Sequence, residues 1–260
     1  MPQEELSEVQ YRIALTMVPA IGPITARKLL EKVGSARDIF QEKGESLRNI
    51  EGIGPVMVRS LQSADLLHQA EKELEFLHKH HIDAHYYQDP AYPSRLKECA
   101  DAPILLYVRG NQGLNSPRSL SVVGTRQASS YGKELCRSIV LGLSEQLEDL
   151  VVVSGLAFGI DVMAHRAALE GGIPTVAVLG HGLSTLYPHA HRDMARKIIH
   201  QGALVTDFPS WMGPERNNFL RRNRIIAGMA DATLVVESAS AGGSLITANM
   251  ANSYDRDVLA

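Results

Sequence analysis

From Leu120 onward, short apolar runs alternate with stretches of helical spacing. Leu120 to Val123 reads as a buried strand, broken at Gly124 and followed by a helix from Ser129 or Ser130. The pattern repeats as a strand Val151–Ser154, a turn Gly155–Gly159 and a helix Ile160–Glu170. It continues as a strand Pro174–Leu179, a loop Gly180-His-Gly, a helix His191–Gln201 and a strand Ala203–Thr206. A helix Asn217–Met229, a strand Ala232–Val236 and a helix Leu245–Tyr254 complete it. Continuous rather than alternating apolar strands, each followed by a helix, predict a mostly parallel, doubly wound Rossmann-like sheet covered on both faces. Ligands of such a sheet sit at the carboxyl ends of its strands.

The first 81 residues have a different period. Glu8 to Met17 is amphipathic at helical spacing, and two stretches of similar form follow, Val18 to Leu30 and Ile50 to Leu61. Each carries Ile-Gly-Pro ahead of an apolar-periodic helix, and proline suits a first helical position because its missing N–H has no partner there anyway. We read residues 1–81 as a small all-α domain resembling tandem helix-hairpin-helix or sterile-alpha-motif-like units. Such hairpins contact DNA backbone through loop N–H groups. Ala20 stands where the first hairpin calls for glycine, and few basic residues flank the loops, so a partner-binding or purely structural role is equally open. A charged amphipathic helix over 66–81 ends this domain. The histidines around its end (His78, His80, His81, His85) lack the regular spacing and the acid or cysteine of a metal site and read as a solvated helix end. Residues 82–118 read as a linker with short strands, Asp83–Tyr87 and Ile104–Val108, and a loop Asn111–Pro117; residues 119–260 form the Rossmann-like domain.

Composition narrows the partners. With 45% hydrophobic and 21% charged residues the chain is of ordinary globular balance, and a net charge of −3 means that any nucleic-acid surface is a local patch. Two distant cysteines, Cys99 and Cys136, give no disulfide framework and point to a reducing compartment. No run of roughly 20 apolar residues is present, and the N-terminus has no signal-peptide form. A cytoplasmic protein with no membrane partner is expected.

Chemistry concentrates at the predicted carboxyl ends. After the first strand come Gly124, Thr125 and Arg126; after the second, Ser154, Gly155, Ala157, Gly159 and Asp161; after the third, Gly180 and Gly182; and the last turn is Ser240 to Ser244, with Gly242 and Gly243. Backbone N–H groups at a fresh helix start suit a phosphate, and Arg126 adds a bidentate clamp. Gly-x-Arg at 124–126 departs from the dinucleotide fingerprint, so a tight pyrophosphate approach is not implied. Several such turns on one edge make an extended anion-binding rim. The segment Arg216 to Arg224 adds Arg216, Arg221, Arg222 and Arg224 and holds no acid. In a helix, Arg216, Phe219 and Asn223 share a face. A cation, a ring and an amide there can hold a phosphate, stack a base and read its edge.

Residues 119–260 resemble the DNA-processing protein A (DprA, Smf) family. The residues that carry the resemblance are Gly124, Arg126, Ser129, Tyr131 and Gly132; Ser154-Gly155 with Ala157, Gly159-Ile160-Asp161 and Ala164-His165; Leu179-Gly180, Gly182 and Tyr187-Pro188; Phe219 with Arg222-Asn223-Arg224-Ile225-Ile226 and Gly228; and Gly242 through Ala248. The resemblance implies a single-stranded DNA-binding protein with an extended Rossmann fold. It protects incoming DNA in natural transformation, loads the RecA recombinase and forms a homodimer. It implies a DNA pocket of Arg126, Arg216 and Phe219, with Arg216 at a position often held by lysine in the family and Leu220 at a common proline. Some members carry a winged-helix domain, and the end at Asp257–Ala260 reads as a truncation within a final strand. No cofactor and no enzymatic activity are implied. The rival is a nucleotide-processing Rossmann enzyme of the lysine-decarboxylase-like phosphoribohydrolase type. That family follows its glycine motif with a catalytic Glu, whereas this chain has no acid between Ala241 and Asp255. Asp161 and His165, one helical turn apart, read as a structural hydrogen bond rather than an acid–base pair.

Overall fold

The computed structural model describes residues 3–110, 112–240 and 242–260; Asn111 in the predicted entrance loop and Ala241 in the last predicted turn lie outside them. Two compact units emerge. One runs to Tyr87 and includes Ala100–Leu106; the other comprises Gln88–Cys99 and Tyr107–Ala260.

The first unit is helical: α1 Gln3–Met17, α2 Pro23–Val33, α3 Ala36–Gln41, α4 Gly44–Arg48, α5 Pro55–Leu61 and α6 Ala64–His80. Its repeat is physical as well as textual. Both α2 and α5 start with proline directly after a glycine N-cap, Gly22 and Gly54. Ala20 takes the left-handed conformation (φ 65°) that Gly52 takes in the second copy (φ 88°), a geometry that costs a residue with a Cβ roughly 1–2 kcal/mol. Ile13, Leu15, Ile21, Leu29, Ile39, Leu47 and Ile53 are buried, so the packing around that turn holds it. Helices α3 and α4, six and five residues long, had no legible period; Ser35 starts α3 by accepting a hydrogen bond from Asp38 N. Strand β1 (Asp83–Tyr86) closes this unit, and the Arg12 guanidinium lies 4.0 Å over the Tyr86 ring.

The second unit is built on α7 Ser94–Lys97, β2 (Leu105–Gly110) from Tyr107 onward, β3 Arg118–Val123, α8 Ser130–Gln146, β4 Leu150–Ser154, α9 Ile160–Glu170, β5 Thr175–Val178, α10 Arg192–Gln201, β6 Gly202–Thr206, α11 Arg216–Gly228, β7 Ala232–Val235, α12 Gly243–Ser253 and β8 Asp257–Leu259. Within this unit the strands run in the order β2-β6-β5-β4-β3-β7-β8. Every pairing from β6 to β8 is parallel, and β2 joins β6 antiparallel, with Tyr107 opposite Thr206. The mostly parallel, doubly wound sheet is therefore the one the apolar runs predict. All residues of β4, β5 and β6 are buried, the condition under which a strand needs no alternation.

Topology selects one place on this sheet. From β3 the chain winds outward through β4, β5 and β6, then returns to lay β7 against the other side of β3. The order reverses between β3 and β7, and a crevice opens beyond their carboxyl ends. The loops bordering it are those after β3 and β7.

Candidate nucleic-acid interface

The crevice is a cleft of about 670 Å³. Gly124, Arg126, Arg216, Phe219, Arg222, Asn223, Gly242, Gly243 and Ser244 line it, together with Asp161 and Tyr187. Arg126 reaches it from the β3 turn, and Arg216, Phe219 and Asn223 from one face of α11. Arg126 and Arg216 are exposed and Phe219 is half-buried. The Arg126 guanidinium carbon stands 5.7 Å from the Phe219 ring centre, within cation–π range. Glycine at 180 makes the ring's position feasible: a Cβ there would come within 2.7 Å of the Phe219 ring and 3.1 Å of its backbone. The Tyr187 ring also meets it, with centres 5.8 Å apart and planes tilted by 48°. Tyr187 is a cleft residue that the reading of the rim passes over, although the Tyr187-Pro188 pair after Gly182 was its signal.

The two glycine turns flanking the cleft differ. At the start of α8 two amides, Ser129 N and Gly132 N, are taken by the protein's own side chains, where the sequence reading has unpaired N–H groups. The Glu237 carboxylate, arriving from the loop after β7, accepts hydrogen bonds from Ser129 N at 3.0 Å and Ser129 Oγ at 3.1 Å. Ser129 Oγ in turn accepts from Gly132 N at 3.0 Å. The protein's own acid thus occupies the anion position at that helix start. Gly124 serves packing, since a Cβ there would lie 2.4 Å from Ile160 Cγ1. The start of α12 is different: Gly242 caps it with no side-chain hydrogen bond. Gly243 and Ser244 face the cleft, and Asn223 Nδ2 donates to Gly243 O at 3.5 Å.

Other members of the predicted set serve packing and hydrogen bonding inside the fold. Ser154 is fully buried and its hydroxyl donates to Val122 O at 2.6 Å. Gly155 leaves room for a guanidinium: a Cβ there would fall 1.7 Å from Arg222 Nη1. Gly159 turns with φ 78°, and a Cβ on it would be 2.1 Å from Thr125 O. Arg224 is buried in an ion pair with Asp207, an acid from the loop after β6 that local sequence could not connect to it.

Arg222 forms the cleft's floor. It is buried, and its Nη1 donates to Val178 O at 2.9 Å while Nε has no hydrogen-bond partner. Burial lowers its pKa to about 10, against the opposing pull of the Asp161 charge. Burial likewise raises the Asp161 carboxyl, with Arg222 and the Ala157 and Gly155 amides holding it down. For both groups desolvation outweighs mutual attraction, as is common for buried opposite charges. The expected Asp161–His165 hydrogen bond is absent. Thr175 Oγ1 donates to Val152 O at 2.8 Å, so it accepts from His165 Nδ1 at 2.7 Å. Burial first, then the Arg222 and His191 charges, push the His165 pKa down to about 3. A neutral imidazole turned toward a strand threonine is not an acid–base partner of Asp161. Among the described residues no three His, Cys, Asp or Glu side chains group as a metal site, and no helix is long and apolar enough to cross a membrane.

Relatives share this arrangement of elements. The protein Smf of Synechocystis sp. is 33% identical over 97% of this chain and 64% of its own length. The DNA processing protein DprA of Streptococcus pneumoniae is 40% identical over 66% of this chain and 60% of its own. The chain thus spans less than two thirds of the length of these relatives. The X-ray structure of DNA processing protein A from S. pneumoniae superposes with a TM-score of 0.80 at 32% identity, covering 96% of this chain and 85% of that one. DNA processing protein A from Helicobacter pylori, solved for its single-stranded DNA binding mode, shares the fold, with a TM-score of 0.61 at 24% identity over 68% of this chain and 79% of that one. A tandem SAM-like helix-hairpin-helix profile matches residues 13–64. The profile of DNA recombination-mediator protein A matches residues 83–260, more than half of the sequence, and the chain belongs to that family.

Proposed function

We propose that this protein binds single-stranded DNA in the cleft between β3 and β7, without chemistry on the strand. The observation that carries the reading is the convergence of two exposed cations, Arg126 and Arg216, and one half-buried ring, Phe219, on one cleft at the sheet's reversal point. The cations take phosphates and the ring stacks a base, a combination that tolerates any sequence. The start of α12, where Gly243 and Ser244 line the cleft, adds a third element. The H. pylori relative, described for single-stranded DNA binding, fits the same reading.

In the cell the protein protects incoming single strands during natural transformation and loads the RecA recombinase onto them, acting as a cytoplasmic homodimer formed through the Rossmann-like unit. The enzyme alternative would draw on Asp161 and His165. Their burial and separate partners support binding over catalysis.

A titration of fluorescent single strands against duplex, repeated across salt concentrations, tests the reading. Single strands bind more tightly, and Arg126→Ala and Arg216→Ala each reduce the slope of log K against log salt by about 0.7, the value of one phosphate contact on single strands. Equal affinity for duplex, or slopes unchanged in both variants, overturns it.

A further inference from the structure

The chain holds only five Phe and eight Tyr, and two of these rings lie exposed beside the cleft without a core to fill. Phe158, in the turn between β4 and α9, is 46% exposed; Tyr187 is 42% exposed. Each is braced on one side. The Phe158 ring contacts His191 edge-on, with centres 4.9 Å apart and planes at 66°, and Tyr187 contacts Phe219. A small hollow joins them, lined by Phe158, Tyr187, Pro188 and Phe219 with Arg126 at its border. Arg126, Tyr187 and Phe219 line this hollow and the main cleft alike, so the two adjoin.

Exposed rings gathered with a third ring around one hollow form an apolar patch, of the kind that marks a ligand-binding groove. Here the covering partner must suit flat apolar faces set around a cation, which is the chemistry of consecutive nucleotides: base on ring, phosphate on arginine, base on ring. We infer that Tyr187 and Phe158 form a second base-stacking platform, which extends the strand's path past Phe219 toward the β4–α9 turn, with Arg126 holding the phosphate between the two platforms. The inference rests on the single-strand reading above. The Phe219 and Tyr187 rings touch, so bases lie over their outer faces rather than between them.

The test uses the full chain and oligothymidylates of increasing length, from roughly 4 to 16 nucleotides, the range of single-strand site sizes. Phe158→Leu, which keeps an apolar side chain, and Tyr187→Ala weaken binding of the longer oligomers by roughly 5- to 150-fold, the range for loss of one stacked base. Phe158→Leu, outside the main cleft, leaves the shortest binding oligomer and the salt slope unchanged, because it removes neither the first platform nor a phosphate contact. Phe219→Ala weakens binding at every length. Wild-type affinity of Phe158→Leu and Tyr187→Ala at all lengths, with Phe219→Ala defective, overturns the second platform and leaves the first. An equal loss at every length in the two variants also overturns it, since the rings then act only by supporting Phe219. Undiminished binding by Phe219→Ala itself removes the single-strand reading and this inference together.

Discussion

The turns that open α8 and α12 look alike in sequence and do opposite things in the structure. Each follows a parallel strand beside the crevice, each contains glycine, and each ends in a serine at a helix start. At α8 the amides of Ser129 and Gly132 are already satisfied by the Glu237 carboxylate and the Ser129 hydroxyl. At α12 the N-cap is Gly242, which has no side chain to offer, and Gly243 and Ser244 face the cleft. The α8 turn contributes to the proposed interface through Arg126 alone, the α12 turn through its backbone. A helix start attracts anions through its unpaired N–H groups, so what matters is whether the protein has supplied the anion itself. The same division runs through α11. Arg216 and Phe219 face the cleft, whereas Arg222 forms its buried floor and Arg224 is held inside by Asp207.

The largest expected effect tests the inward half of this division. Arg224→Ala leaves Asp207 buried without its cation and destabilises the fold by about 3–5 kcal/mol, while the molecules that remain folded bind single strands as before. Chemical denaturation together with binding measured per folded molecule checks it; a variant of full stability that binds weakly would move Arg224 to the interface side. Next in size is Glu237→Ala, which empties the α8 start. It costs about 1 kcal/mol as a lost helix cap and raises single-strand affinity, because a carboxylate leaves the rim. Unchanged melting would remove Glu237 from the capping role. The smallest effect probes α12. A Cβ at Gly243 meets nothing within 4 Å, so Gly243→Asp folds normally and gains about 0.3–1 kcal/mol from an acid in the first helical turn. The same acid weakens DNA binding. Affinity equal to the wild type in this variant would mean that the α12 amides do not meet the strand.

These differences mark where local reading stops. Nothing near Ser129 in sequence announces Glu237, which lies 108 residues away and arrives only because β7 pairs with β3. Arg224 reads as a free cation until the loop after β6 brings Asp207 to it across 17 residues. Gly155 and Gly180 read as anion-binding glycines, yet the space they leave is filled by Arg222 and by Phe219. By contrast, the face shared by Arg216, Phe219 and Asn223 was legible, because helical periodicity is a local property and all three line the cleft.

The sequence alone determined the alternation of strand and helix, the parallel sheet, the paired hairpins of the first unit and the family, because apolar period, turn glycines and motif residues are set by near neighbours along the chain. The tertiary structure decided which cations are buried, which helix start receives the protein's own carboxylate and that Tyr187 joins Phe219. Each of those outcomes depends on groups distant in sequence that meet only when the strands have taken their order, and a buried charge or amide is satisfied by whatever partner that order delivers.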